Sequence, residues 1–579
     1  MKRIKLTQGG LSIFIALGLF GISLALNWSS FFPTLGAINP WDEAAYVKAG
    51  EEILQGVIPD FASSPFTAAF YAVTKYLFSA SPFWLIHSVA AGRLASYALI
   101  WLSAYLIGKR LIPRTTPLVL LCLLLAAPFY LKMLRFPSDP FFMAIAGLGL
   151  WQLLVFHQEG NLRSAVLAGL FIALAAATRN DGLVLFVVAL AWMAILVMIK
   201  KHRWTTVAGF LAPFLLLVGG YVLFYGSHTG SFSLGTAERT YDNFEAGQIA
   251  VYSGEQGLNA AVDAKREARR LFGTADQNGY SVIRAILRNP QAYLERLKRV
   301  ALELPSQIIK AYSGKWVVLL TFWATWGVVT LIRKREWFLV GLLLIWFTPF
   351  LSGFIITIFR TGHLLFPSLV VLSFAAIGLS DYVTRVKERV VFLVGTLVMF
   401  LLLLLGVIVK EPVVIFASGL CLAAMVLIRL GQAVPPTWKG RAMLPVFLFL
   451  AVGISLHGPY PGFIKSPAVQ PAEEQALLVL VDTLPRGARI LAGSPGVIYA
   501  ADMTYLGLAS TDVPIFNSAK EFGQWLEAQD VDAVYIDRTL TVDNQAYWIL
   551  LQELSGWFDE AYRDPGGEIR VWIRKGAGS

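Results

Sequence analysis

The stretch NPWDEAAYVKAG, residues 39–50, sets two acids side by side, Asp42 and Glu43, shortly after a long apolar run ends. Adjacent carboxylates can accept a proton from a hydroxyl, or they can simply start a helix. Asn39 followed by Pro40 reads as a helix start, with Asn as N-cap and Pro in the first helical position. Asp42 then falls in the third position, where an acid supports the capping box and the helix dipole. Winding the helix at ~100° per residue gives a polar stripe of Lys48, Glu51, Glu52 and Gln55. Asp42 lies off that stripe, with Tyr46, Ala49 and Ile53, and Glu43 lies with Val47, Gly50 and Leu54. Acids on the buried face of an interfacial helix are costly and call for a role. Cap and proton acceptor both fit.

Other charged residues recur in short connections. LKMLRFPSDPFF carries Arg135 and Asp139, ATRNDGL carries Arg179 and Asp181, and FRTGHLLFP carries Arg360 and His363. Arg93 falls well inside an apolar run and requires an acidic partner or a ligand. Singly, each is explained by snorkelling or by a neighbouring acid, and Asp139 before Pro140 also suits a turn or helix start. Together they describe carboxylates for proton transfer and cations for an anionic group.

The elements that must position these residues are membrane helices. The chain has 579 residues, of which 56% are hydrophobic and only 15% charged, and its mean hydropathy is +0.63. Apolar runs long enough to cross ~30 Å of hydrocarbon recur through residue 456. A net charge of +11 would suggest nucleic acid in a soluble chain. Here the charge sits in clusters between spans, so it reads as topology, and no nucleic-acid partner is expected. Basic groups gather at the N-terminus, at Lys109, Arg110 and Arg114, at Lys200, Lys201 and Arg203, and at Arg333 to Arg335. Others are Arg385, Lys387 and Arg389, then Arg429, Lys439 and Arg441. Placing all of them in the cytoplasm gives about thirteen spans. These lie near 9–27, 83–108, 116–131, 141–157, 164–178, 183–200, 205–226, 316–332, 337–355, 364–380, 390–409, 412–430 and 443–456. Cys122 and Cys421 both fall within apolar runs, with no disulfide framework or metal spacing.

The fold class that follows is a polytopic α-helical membrane protein with a cytoplasmic N-terminus, divided into a transmembrane part, 1–456, and an external tail, 457–579. The tail reads as a small α/β domain, with ARILAGS and AVYIDRT as buried strands and EEQALLVLVDTL and AKEFGQWLEAQ as helices. GSPG after the first strand is an incomplete dinucleotide fingerprint and reads as a turn. The long loops 28–82 and 227–315 also lie outside, as do the connections bearing Asp139, Asp181 and Arg360. In NPQAYLERLKRVALEL, residues 289–304, Tyr293, Leu297, Val300 and Leu304 share one face, with Glu295, Arg296 and Arg299 opposite. That helix suits either the membrane interface or a lid on the bundle.

An acid that deprotonates a hydroxyl, with cations for a phosphate leaving group, suits sugar transfer from a lipid-phosphate donor at the outer membrane face. Arginines can hold one phosphate without a metal ion, so no metal ligands are assigned, and a divalent metal remains compatible. WDEAAYVKAGEEILQGVIPDF resembles the first external loop of membrane glycosyltransferases of the C fold, and is similar to the protein O-mannosyltransferase and aminoarabinose transferase branch. RFPSDPFFMAI, AATRNDGLVLF and RTGHLLFP resemble three further motifs of that branch, in order. In the last of them His363 stands where a second Arg is common. The resemblance implies Asp42 as catalytic base, Glu43 as its neighbour, Asp139 as a second acid orienting acceptor or donor, and inversion at the anomeric carbon. It assigns Arg135, Arg179, Arg360 and His363 to the donor phosphate, with Arg93, Tyr46 and Asp181 in support. The implied partners are the bilayer, a polyprenyl-phosphate sugar, and a glycan, lipid or protein acceptor. A transporter or lipid flippase is the rival reading, predicting inverted repeats and functional charges near the midplane. A non-catalytic assembly protein predicts no dependence on Asp42.

Overall fold

The computed structural model describes residues 8–33, 35, 38, 42–59, 64–81, 83–111, 116–125, 129–199, 202–230, 232, 237–251, 258–311, 316–350, 365–385, 396–397, 400–401, 470–507, 514, 516 and 518–576. The apolar runs are helical, as they must be where the backbone has no water to bond. α1 (Gln8–Leu26) and α2 (Trp28–Phe31) lead to two helices of the first loop, α3 (Glu43–Leu54) and α4 (Pro65–Phe78). α5 (Trp84–Arg110), α6 (Thr116–Leu125), α7 (Phe129–Met133), α8 (Ser138–Glu159), α9 (Leu162–Thr178) and α10 (Asp181–Met198) follow. α11 (Trp204–Phe214) continues through a π-helical turn, Leu215–Gly219, into α12 (Gly220–Thr229). Pro213 lies just before that turn and withholds an N–H from the ladder, which is the local reason for the widened helix.

Among the described residues, five helical stretches are long and apolar enough to cross a membrane: Trp84–Arg110, Ser138–Glu159, Asp181–Met198, Trp204–Thr229 and Leu365–Tyr382. The last belongs to α20 (Leu365–Arg385), which follows α18 (Trp316–Arg333) and α19 (Trp337–Ile345). The expected runs from 9–27 to 364–380 fall mainly on helices where they are described, but the run 337–355 is broken by a turn at Trp346 and Phe347. Those at 390–409, 412–430 and 443–456 lie outside the described residues, apart from helical positions at 396–397 and 400–401. α8 is buried along most of its length, packed against α5 and α9, and so holds Asp139 at a fixed place in the bundle.

Residues 237–311 form a helical cap: α13 (Ala237–Ala246), α14 (Leu258–Phe272), α15 (Ala275–Asn278), α16 (Val282–Arg288) and α17 (Pro290–Ala311). Its own core joins Tyr241, Phe244, Ala268, Phe272, Ala285 and Tyr293. The apolar face of α17 therefore packs on protein: Tyr293 and Leu297 on the cap core, Leu304 on the bundle core. Arg296, expected on the polar face, is buried instead. Its Nη1 donates to the Phe244 carbonyl at 2.7 Å, and its guanidinium lies 4.8 Å from the Phe244 ring. Burial pulls its pKa down to about 10. Helical periodicity alone could not show that the cap folds back over this side of α17.

Residues 470–576 fold as α21 (Gln470–Thr483), β1 (Arg489–Ala492), α22 (Gly496–Ala500), β2 (Thr504–Gly507), α23 (Ala519–Ala528), β3 (Ala533–Ile536), α24 (Gln545–Glu553), β4 (Phe558–Arg563) and β5 (Arg570–Arg574). The sheet order is β2-β1-β3-β5-β4, parallel from β2 to β3 and antiparallel from β3 to β4. Successive side chains of a strand point to opposite faces. Ile490, Ala533, Tyr535 and Val571 accordingly enter one core, and Leu491, Val534, Ile536 and Trp572 another. The first of these cores also contains Leu35, Tyr46, Val47, Tyr71 and Trp84, so the sheet is seated on the first loop. An ionic contact marks the seam: Lys75 Nζ lies 3.0 Å from Asp502 and 3.7 Å from Glu51.

Candidate active site

α3 begins at Glu43, not at Pro40. The Asp42 carbonyl accepts the first-turn N–H of Tyr46 at 3.0 Å, which makes Asp42 the N-cap residue. Its carboxylate makes no side-chain bond to that helix end. Asn39 and Pro40 lie outside the described residues. Tyr46, Val47, Ala49 and Gly50 are buried, as the winding predicts. A Cβ on Gly50 would fall 2.5 Å from the Ala72 backbone nitrogen, so α3 and α4 meet closely only because that residue is glycine.

The adjacent acids have different surroundings. Glu43 is fully buried and holds Arg93 through two parallel bonds, Nε to Oε1 at 2.6 Å and Nη2 to Oε2 at 2.7 Å. Arg93 Nη1 donates to the Ser30 carbonyl at 2.8 Å. The acidic partner required by an arginine inside a span is therefore Glu43. Such a forked pair satisfies both buried charges and fixes α3 to α5. Asp42, one residue earlier, is only partly buried.

A second cluster forms where α8, α9 and α10 meet. Arg179 ends α9 in extended backbone, and Asp181 opens α10. Arg179 Nε donates to Asp181 Oδ2 at 2.8 Å, while its Nη1 donates to Asp139 on α8. The Phe366 ring lies 5.1 Å from the guanidinium. Burial alone would lower the Arg179 pKa, but Asp139 and Asp181 outweigh it and raise it above the ordinary arginine value. Gly182 makes this elbow possible, since a Cβ there would lie 2.4 Å from the Ala176 nitrogen. Two of the three guanidinium nitrogens, Nε and Nη1, are thus used in holding acids.

The clusters face each other. Burial lowers the Arg135 pKa, with Glu43 opposing that shift and Arg93 adding to it, so Arg135 lies within the field of the buried pair. Tyr46 acts electrostatically on Arg179, and its hydroxyl donates to Ser64 Oγ at 3.1 Å. Ser64 donates in turn to the carbonyl of Thr178, the residue before Arg179. Tyr71 is fully buried. Burial, and next Glu43, hold its phenol well above the usual range.

Of the sequence-predicted residues, Tyr46, Glu43, Arg93 and Arg135 are brought together on one side, and Asp139, Arg179 and Asp181 on the other. Arg360 and His363 lie outside the described residues. Sequence reasoning missed Ser64, Thr178 and Tyr71. Ser64 and Thr178 act through a loop and a helix end with no charge to mark them. Tyr71 stands two turns before Phe78 on an apolar helix and reads as packing. Among the described residues, no three His, Cys, Asp or Glu side chains stand together as a metal-ion ligand set.

No protein-family model matches the sequence, and no curated protein matches it. Solved structures do match. ArnT from Cupriavidus metallidurans in the apo state is 14% identical with a TM-score of 0.54, covering 97% of this chain and 98% of its own. The archaeal oligosaccharyltransferase AglB from Archaeoglobus fulgidus, in complex with an inhibitory peptide and a dolichol-phosphate, is 12% identical with a TM-score of 0.57. That alignment covers 97% of this chain and 74% of AglB. The chain has the C fold of membrane glycosyltransferases.

Proposed function

We propose that the chain is a membrane glycosyltransferase that moves a sugar from a polyprenyl-phosphate donor to an acceptor hydroxyl at the outer face of the cytoplasmic membrane. The observation that carries this reading is the meeting of two acid–arginine clusters beside Asp42. Glu43 is bound to Arg93, Asp139 and Asp181 are bound to Arg179, Arg135 lies in the field of the first pair, and Asp42 adjoins Glu43 at the start of α3. The C fold supports the class, and the dolichol-phosphate complex of AglB supports a lipid-phosphate donor.

In the proposed reaction Asp42 takes the proton of the acceptor hydroxyl as its oxygen attacks the anomeric carbon. The bond from that carbon to the phosphate oxygen breaks, the configuration inverts, and polyprenyl phosphate leaves. Arg135 and Arg179 stabilise the departing phosphate, joined by Arg360 and His363 from the late motif. Asp139, oriented by Arg179, positions the bound sugar or acceptor. Acceptors of glycan, lipid or protein type all offer the required hydroxyl, and arginines can hold the phosphate without a metal ion, with a divalent metal also compatible. About thirteen spans, a cytoplasmic N-terminus and an external tail, 457–579, complete the proposal. The core shared by the tail and the first loop supports their lying on one side of the membrane.

Purified protein, a radiolabelled polyprenyl-phosphate sugar and acceptor extracts test the base. Asp42→Asn is expected to lower turnover by roughly 10²–10⁴-fold, the range for loss of a general base, with unchanged melting. Undiminished turnover in that variant would overturn the assignment.

A further inference from the structure

The far ends of the helices that carry Asp139 and Arg179 enclose a second polar site. α8 has 22 residues and so spans roughly 33 Å at 1.5 Å per residue. At its distal end, a cavity of about 560 Å³ opens between the α8–α9 and α10–α11 connections. His157, His202 and Arg203 line it, together with Thr205 and Thr206 from the first turn of α11. The acid in its wall, Glu159, is already neutralised: Oε1 accepts from Arg110 Nη1 at 2.7 Å and Oε2 from Asn161 Nδ2 at 2.9 Å. The His202 ring packs 4.4 Å from that of Phe156 and so has a fixed place in the wall. Arg203, the N-cap residue of α11, brings its charge to the positive end of that helix, a combination that favours an anion.

The rim has the opposite character. Leu162 is 49% exposed and Trp204 is 63% exposed, with Met198 nearby in sequence at 71%. In a membrane-embedded bundle such residues meet acyl chains, and tryptophan settles at the interface. A cavity that presents Arg203 and a helix N-terminus beside exposed apolar side chains matches a phosphate headgroup still attached to its tails, and basic pockets between membrane helices bind such headgroups. We propose that this cavity binds the phosphate of an anionic membrane lipid, at the opposite end of the bundle from Asp42 and Asp139. The site is independent of the transfer reaction, because none of its residues belongs to the acid clusters.

Native mass spectrometry of the full-length, delipidated protein tests this with phosphatidylglycerol, phosphatidylcholine and inorganic phosphate as probes. Wild type should retain phosphatidylglycerol in preference to phosphatidylcholine. Arg203→Gln should weaken that retention about fivefold, the effect of one cation near a lipid phosphate. Arg203 is exposed, so the variant should fold. Thr205→Glu, which puts a negative charge at the exposed lip, provides a second reading and should also expel the lipid. Equal retention by wild type and both variants would overturn the site. Displacement of the lipid by millimolar inorganic phosphate, with no advantage from the tails, would overturn the lipid as the source of the phosphate.

Discussion

The Tyr46 hydroxyl donates to Ser64 Oγ at 3.1 Å, and Ser64 donates onward to the Thr178 carbonyl, so the helix following Asp42 is fastened to the residue before Arg179. Ser64→Ala leaves a buried hydroxyl and a buried carbonyl without this bridge, a loss on the order of 1–3 kcal/mol. Turnover should fall by roughly tenfold. Tyr46→Phe introduced into the Ser64→Ala protein should add little, because the bridge is already gone. Rates of the two single variants and the double variant decide it, and strictly additive effects would show that the bridge does not couple the clusters.

Glu43 and Arg93 form a buried forked pair, and removing one partner strands the other charge. Glu43→Gln should cost about 3–5 kcal/mol, visible as a lower melting temperature in detergent and a lower yield of folded protein. Replacing both residues with methionine should recover part of that stability, since an apolar pair of similar volume strands no charge and leaves the Ser30 carbonyl without its donor. A Glu43→Gln protein that melts like wild type would remove the structural role.

Arg179 reaches Asp139 and Asp181 through different nitrogens, which a single ammonium cannot reproduce. Arg179→Lys keeps the charge and loses the fork, so Asp139 is no longer held in one orientation. A misplaced group near the reacting atoms can lower the rate by about 10²-fold. Initial rates with saturating donor are the measurement, and a lysine variant as fast as wild type would show that charge alone suffices.

Much of this was legible in the residues. Apolar run length marked the helices because the membrane imposes one length on all of them, and α8, α9 and α10 lie where 141–157, 164–178 and 183–200 were expected. The placement of Arg93 in a span implied an acid, and that acid is Glu43. The start of α3 was not legible. Asn39-Pro40 is a good local signal, yet α3 starts at Glu43 with Asp42 as its N-cap residue, where packing of Tyr46 and Val47 against the tail's core fixes the helix. Arg296 was misplaced for a related reason: winding shows which residues share a face, not which second element will cover it. Ser64 carries no pattern at all, because its role depends on two elements more than 100 residues apart meeting at one hydroxyl.

The seam between Lys75 and Asp502 joins positions 427 residues apart, and it borders a core in which Leu35, Tyr46 and Tyr71 are covered by Ile490, Val497 and Val571. The chain therefore cannot finish the interior of its first loop from neighbouring sequence. Closing so long a loop is slow, and until it closes the helix that follows Asp42 lacks half of its apolar surroundings. The part that emerges first in synthesis matures last. A chain cut short before the sheet would leave the proposed base on an unsupported helix, so completeness of translation is built into the competence of the acid cluster.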